Sequence, residues 1–319
     1  MMTCENTPTR TLPRQGAARF SLYSPKQLAS LLVLSSGFVL AGATHSVIAD
    51  EGQLEDAMDS MDLESLLNME VTSVSKKAQK LSDSPAAIFV ITADDVRRSG
   101  ATSVPEALRM VPGLDVARID ANKWAVTARG FNGRFANKLL VLVDGRTVYS
   151  PTFSGVYWET QDVLLEDLER IEVIRGPGAT LWGANAVNGV INIITRHAAD
   201  TTGALLSITT GDEERETASL RIGGKLAENS YGRAYLKTSK KDDTERENGD
   251  SAGDKWDMSS GGFRLDIQPS YKNNFTFQGD FYRANIDQEV VLPNVTAPYF
   301  AMLNDSTESE GWNLMGHWQ

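Results

Sequence analysis

The sequence predicts a mixed α/β domain followed by a purely antiparallel β half, and three observations carry that expectation. Between residues 86 and 195, apolar strands alternate with capped helices, and one segment, Leu139-Leu140-Val141-Leu142-Val143, is apolar on both faces. After His197 every regular segment alternates apolar and polar residues with period two, and no helical period returns. Mean hydropathy is −0.27 and residues 28–43 form the one long apolar run, which excludes a bundle of membrane-spanning helices. Beyond its N-terminus, the chain can meet a membrane only through strands. With 41% hydrophobic and 23% charged residues it is apolar enough to build a packed core. Its net charge of −11 argues against nucleic acid as a partner, because such binding rests on phosphate neutralisation.

The N-terminus reads as an export signal. Arg10, Arg14, Arg19 and Lys26 precede Leu28-Ala29-Ser30-Leu31-Leu32-Val33-Leu34, and the apolar run continues to Ala43. Val47-Ile48-Ala49 then places slim residues where a signal peptidase cuts, so residues 1–49 are expected to be removed after Ala49. An uncleaved anchor is the alternative, but Ser35, Ser36 and Gly37 break the run short of the roughly 20 apolar residues that span a bilayer. Cleavage removes Cys4, the only cysteine. The exported chain then needs no disulfide framework and has no thiolate. Its two histidines, His197 and His317, lack an acidic neighbour at metalloprotease spacing, so neither a metal nor a cofactor is expected.

Residues 50–69 form an acidic tether or a short, weakly amphipathic helix carrying Glu51, Glu55, Asp56, Asp59, Asp62 and Glu64. Residues 70–77, Glu70-Val71-Thr72-Ser73-Val74-Ser75-Lys76-Lys77, alternate strictly and end in lysines. Such a strand can add itself to the sheet edge of another protein or pair within its own domain.

The elements of the α/β domain, residues 78–198, follow in order. Ala86-Ala87-Ile88-Phe89-Val90-Ile91 predicts a strand; Thr92 with Asp95 predicts a capping box, and Gly100 ends the helix it opens. Ser103 with Glu106 predicts a second capping box, on a helix whose apolar face is Val104, Leu108 and Val111 and which Pro112-Gly113 stops. Strands are expected at 114–118 and 125–129. Leu139 to Val143 predicts a buried central strand, turned by Asp144-Gly145 into a hairpin with 146–149. Strands at 168–175 and 190–195 complete the domain.

In residues 199–319, Ala218, Leu220 and Ile222 alternate with Ser219 and Arg221. Phe263, Leu265 and Ile267 alternate with Arg264, Asp266 and Gln268, and Phe275, Phe277 and Phe281 with Thr276, Gln278 and Asp280. Short turns such as Lys272-Asn273 are expected to alternate with long polar loops at 242–254 and 288–309. Aromatic-rich strands with apolar-out, polar-in alternation and unequal loops fit an antiparallel transmembrane β-barrel, although a soluble β-sandwich alternates similarly. The export signal favours the barrel.

Residues 175–189, Arg-Gly-Pro-Gly-Ala-Thr-Leu-Trp-Gly-Ala-Asn-Ala-Val-Asn-Gly, do not fit a nucleotide loop. Ala184-Asn185 stand where a P-loop needs Lys and Ser or Thr, and a strand rather than a helix follows. The glycines are expected to serve turns and close packing.

Leu-Leu-Val-Leu-Val-Asp-Gly at 139–145, Ile-Glu-Val-Ile-Arg-Gly-Pro-Gly at 171–178, and Trp182-Gly183 leading into Gly-Val-Ile-Asn-Ile-Ile-Thr at 189–195 resemble, in that order and spacing, the plug domain of TonB-dependent outer-membrane receptors. Arg129-Gly130-Phe131 fits the family's earlier Arg-Gly motif, and residues 70–75 resemble its TonB box, which makes Glu70, Val71, Thr72, Ser73, Val74 and Ser75 the expected partner-binding residues. Where many members carry Tyr-Gly, this chain has Trp182-Gly183.

The resemblance implies an outer-membrane receptor in which a plug blocks a barrel of about 22 strands. A TonB-type inner-membrane transducer would pair with the box and pull, driving uptake of a scarce, bulky ligand. An iron-siderophore is the commonest ligand in the family, with cobalamin, haem or another metal chelate as alternatives. Outer-membrane lipid would surround the strands. The resemblance also points loops 130–137 and 149–160 outward, with Phe131, Arg134, Phe135, Tyr149, Phe153, Tyr157 and Trp158 as ligand-facing residues. Aromatics with a guanidinium suit a bulky, partly anionic ligand, while the alternative is packing against the barrel wall. Two other readings are a periplasmic ligand-binding module and an exported enzyme; for the latter, no nucleophile, base and metal constellation can be assembled. After the signal and plug, some 120 residues are left, enough for about six outer-membrane strands. The alternating run 312–319 has no closing turn, so the expectation is the N-terminal part of a longer receptor.

Overall fold

A computed structural model describes residues 70–71, 79–80, 86–183 and 185–319. The expected export signal and acidic tether lie outside these residues, as do Thr72, Ser73, Val74 and Ser75.

The chain's first described pairing joins β1 (Glu70–Val71) to β2 (Gln79–Lys80), antiparallel, with Val71 opposite Gln79. The α/β domain then begins with β3 (Ile88–Thr92) and α1 (Ala93–Ser99). The expected capping box is present: the Asp95 amide donates to Thr92 Oγ1 at 3.1 Å and the Thr92 amide donates to Asp95 Oδ2 at 2.8 Å. Gly100 closes the helix at φ +71°. In α2 (Val104–Leu108) the second expected box is absent, because Ser103 makes no cap bond. Glu106 instead takes the Thr102 amide at 2.9 Å and the Thr102 hydroxyl at 2.8 Å, since that residue offers it two donors at once.

β4 (Leu114–Arg118) and β5 (Trp124–Ala128) form an antiparallel hairpin. β6 (Leu139–Val143) turns through Asp144 and Gly145, at φ +49° and +82°, into β7 (Arg146–Thr147). β8 (Leu168–Arg175), a short α3 (Ala179–Trp182) and β9 (Gly189–Thr195) follow, and the five-stranded sheet runs β3-β8-β9-β6-β7. Leu139, Val141 and Val143 pack into the larger core with Ile91, Leu108, Ile171 and Ile193, whereas Leu140 and Leu142 join Ile174, Ala186 and Val190 on the opposite face. This two-sided burial is why β6 carries no polar position. Close packing, as expected, explains one glycine of the rich segment: a Cβ on Gly189 would lie 2.4 Å from the Ile174 carbonyl oxygen.

The second half is a six-stranded antiparallel sheet in sequence order: β10 (Gly203–Thr209), β11 (Glu216–Ala227), β12 (Ser230–Lys241), β13 (Trp256–Ser270), β14 (Asn273–Pro293) and β15 (Phe300–Trp318). Leu206, Leu220 and Leu236 stand in register on one face, continued by Phe281 opposite Trp312, all exposed. The other face carries Arg221, Arg233, Lys237, Arg264 and Asp266 against the α/β domain. Short turns at 228–229 and 271–272 alternate with the longer connections 210–215, 242–255 and 294–299. The expected loop at 288–309 is therefore corrected: β14 and β15 keep pairing up to Pro293 opposite Phe300. Residues 287–289 and 304–309 are polar on both faces and residues 290–292 and 300–303 apolar on both, so no period-two signal marked the stretch as strand.

Candidate functional site

The ligand-facing residues expected from sequence lie mostly on two loops of the α/β domain, the first between β5 and β6 and the second after β7. Arg129, Gly130 and Phe131 adopt consecutive left-handed conformations, φ +65°, +89° and +57°, and this reversal leaves Phe131 fully exposed. Residues in sparsely populated backbone regions concentrate at binding sites because surrounding structure must hold them there. Here the holding groups are amides. Asn188 Nδ2 donates to the Ala128 carbonyl at 3.0 Å, Asn137 Nδ2 to the Phe153 carbonyl at 3.2 Å, and Asn185 Nδ2 to the Ser154 carbonyl at 3.4 Å. The glycine-rich segment thus braces both loops through Asn185 and Asn188.

Four of the expected residues come together. Phe135 and Phe153 meet edge to face at 5.1 Å between centroids, and Phe153 meets Tyr157 at 4.9 Å. The Arg134 guanidinium lies 5.3 Å from the Phe135 ring and 6.0 Å from the Tyr157 ring. Its Nη2 donates to Glu159 Oε1 at 2.9 Å, and Glu159 is buried. The positive charge is therefore oriented and partly balanced from beneath. Phe131 and Tyr149 are exposed without a ring contact to this cluster among the described residues. Trp158 corrects the expectation: it is 7% exposed and packs in the larger core, because the single 3₁₀ turn Trp158–Thr160 directs it inward.

The second loop allows no side chain at Gly155, where a Cβ would fall 2.1 Å from Phe153 Cε2 and 2.7 Å from the Ala136 carbonyl oxygen. Gly155→Ala is expected to displace the Phe153 ring and part the two loops, weakening ligand binding roughly tenfold through ~1–3 kcal/mol of overpacking. Equilibrium binding to purified protein checks this.

In the segment expected to bind a partner, Glu70 and Val71 pair with Lys80 and Gln79, and Val71 is fully buried. The segment's first two residues thus adopt the intrachain pairing that the alternation left open.

Sequence reasoning missed the polar seam between the two halves. Asp167, preceding β8, accepts from Arg221 Nη1 at 2.5 Å and forms an ion pair with Arg233, whose Nε lies 3.1 Å from Oδ2. Asp162 takes Lys237 Nζ at 2.6 Å. Asp266 accepts from Arg264 Nε at 2.8 Å and from the Ala198 amide at 2.7 Å, while Asp144 takes Gln278 Nε2 at 3.0 Å and the Thr195 amide at 2.8 Å. Nearer the long loops, Arg118 pairs with Glu213 at 2.5 Å and holds that carboxyl below its ordinary value. Burial pushes the Asp254 carboxyl up, but the Thr244 hydroxyl and the Ala121 and Thr244 amides together hold it below its ordinary value. Both groups are ionised at neutral pH. The alternation marked Arg221, Arg264, Asp266 and Gln278 as a polar side, but their partners are far away in sequence.

Residues 80–190 match the family described as TonB-dependent Receptor Plug Domain. This α/β domain is a TonB-dependent receptor plug. The chain is similar to the vitamin B12 transporter BtuB of Vibrio vulnificus, 32% identical over 150 residues, which are 46% of this chain and 24% of that protein. It is also similar to the iron-regulated outer membrane virulence protein of Vibrio cholerae, 34% identical over 193 residues, 56% of this chain and 28% of that protein. Among solved structures, FpvA of P. aeruginosa bound to heterologous pyoverdines superposes on 79% of this chain and 34% of its own, with a TM-score of 0.56 and 18% identity. The matched part of the chain thus spans about a quarter of the length of these curated relatives. The fold is that of a plug followed by antiparallel barrel strands.

Proposed function

We propose that this chain supplies the plug and first barrel strands of an outer-membrane receptor for energised uptake of a scarce, bulky ligand, an iron-siderophore complex in the first instance. The observation that carries the reading is the Arg134, Phe135, Phe153 and Tyr157 cluster, a charged aromatic surface braced on two plug loops. Stacking and a fixed cation favour a large, flat, partly anionic solute. The names of the relatives support the same class, one being a vitamin B12 transporter and another iron-regulated.

A TonB-type transducer pairing with residues 70–75 supplies the work. β3, the first strand of the five-stranded sheet to follow that segment, is an edge strand of it. Force applied from the N-terminus therefore meets a strand held by one neighbour, which can be opened pair by pair. The site is in the outer membrane, with the N-terminus in the periplasm.

Growth of a strain lacking the gene, on a panel of single ferric siderophores, haem or cobalamin, tests the ligand class. The expected result is loss of growth on one ferric siderophore under iron limitation and recovery on complementation. Loss confined to cobalamin-dependent growth overturns the siderophore assignment, and normal growth on every member of the panel overturns the uptake reading.

A further inference from the structure

Apart from the charged seam at mid-sheet, a separate set of contacts fastens the plug at the long-loop end. Loop 210–215 contributes Glu213, paired with Arg118 at 2.5 Å, and Glu214, whose Oε1 lies against the Thr102 side-chain oxygen. Loop 242–255 contributes Asp254, only 3% exposed. Its Oδ2 takes the Ala121 amide at 2.8 Å and the Thr244 hydroxyl at 2.7 Å, its Oδ1 takes the Thr244 amide at 2.7 Å, and its carbonyl oxygen takes Asn122 Nδ2 at 2.8 Å. The two loops are tied to one another, since the Asp242 amide donates to the Glu213 carbonyl at 3.0 Å, and Lys241 at the end of β12 holds its Nζ 3.1 Å from Glu214 Oε1. Three loop carboxylates thus grip the turn before α2 and the β4–β5 turn of the plug.

Beneath this clasp is a cavity of about 630 Å³ between the plug and the inner face of the sheet. Thr102, Ala121, Asn122 and Glu214 line it at the clasp, and Trp158 and Lys237 line it deeper. Its charged and hydroxyl-bearing lining is compatible with water. A hydrated seam beside a plug is a route for leakage unless one end is closed.

We propose that the Asp254, Glu213 and Glu214 clasp is the seal of this seam, keeping bulky solutes out while the plug is in place. The inference rests on the receptor reading above. The seal is made of individually separable contacts, so it can be weakened without emptying the plug core.

The test measures vancomycin influx, as growth inhibition, in cells making the full-length protein. Asp254→Ala combined with Glu214→Ala is expected to raise influx roughly tenfold, the scale set by losing the buried Asp254 acceptor. Arg118→Glu and Glu213→Arg singly are expected to raise it less, and the two together to restore the barrier, because the exchanged pair re-forms. That restoration distinguishes a seal from a general loss of folding. Vancomycin influx at the wild-type level in all four variants, each recovered from the outer membrane with unchanged protease resistance, overturns the seal alone. Raised influx in both singles without restoration in the double also overturns it. Absence of the wild-type protein from the outer-membrane fraction overturns the receptor reading and the seal with it.

Discussion

Val71→Pro is expected to reduce uptake to background while leaving ligand affinity at the plug loops unchanged. Val71 sits in β1, a two-residue strand opposite Gln79. Proline removes its amide donor and fixes φ near −65°, so neither an intrachain ladder nor pairing with a transducer's sheet edge can include that position. Gln79→Pro is the control that separates the two. It disrupts only the intrachain partner, and uptake is expected to survive. Radiolabelled ligand uptake and equilibrium binding on both variants check the pair; equal loss of uptake in both would place the defect in the β1–β2 hairpin rather than in partner recognition.

Asp167→Ala is expected to have the largest effect on stability. Asp167 is 2% exposed and holds two guanidiniums from neighbouring strands, Arg221 and Arg233. Removing one member of a buried charged group leaves the others unpaired, a cost of about 3–5 kcal/mol. The loss falls on the docking of plug to sheet, because Asp167 belongs to the plug and both arginines to the strands. Urea unfolding followed by protease cleavage within the plug should show the midpoint moving to lower denaturant, with Asp167→Asn lying between Ala and wild type.

Local chemistry made much of the plug legible. Thr92 and Asp95 cap α1 because each supplies what the other lacks, and Asp144-Gly145 turns β6 because both residues tolerate positive φ. Leu139 to Val143 announced a strand buried on two faces, and two cores meet it. What failed to show in the sequence depends on partners. Glu106 turned to Thr102 because of where that residue's hydroxyl stands, and Trp158 turned inward because one 3₁₀ turn rotates it into the core. The upper halves of β14 and β15 carry Asp287, Glu289, Asn304 and Ser306 in register, a polar ladder that hydrophobic alternation cannot mark.

The candidate site was legible as composition rather than as arrangement. Phe135, Phe153, Tyr157 and Arg134 could be named as aromatic and cationic loop residues. That Glu159 steadies Arg134 from below, and that Asn185 and Asn188 brace the loops, required the fold. The seam at Asp162, Asp167 and Asp144 was invisible for the same reason, since each carboxylate finds its cation or amide on a strand far along the chain.

Cell fractionation of the native protein asks whether the plug and its strands work in the outer membrane, as proposed. Recovery from the outer-membrane fraction only after detergent is added is the expected result. Recovery of folded protein in the periplasmic fraction without detergent would contradict it, and would favour a ligand-binding module free in that compartment.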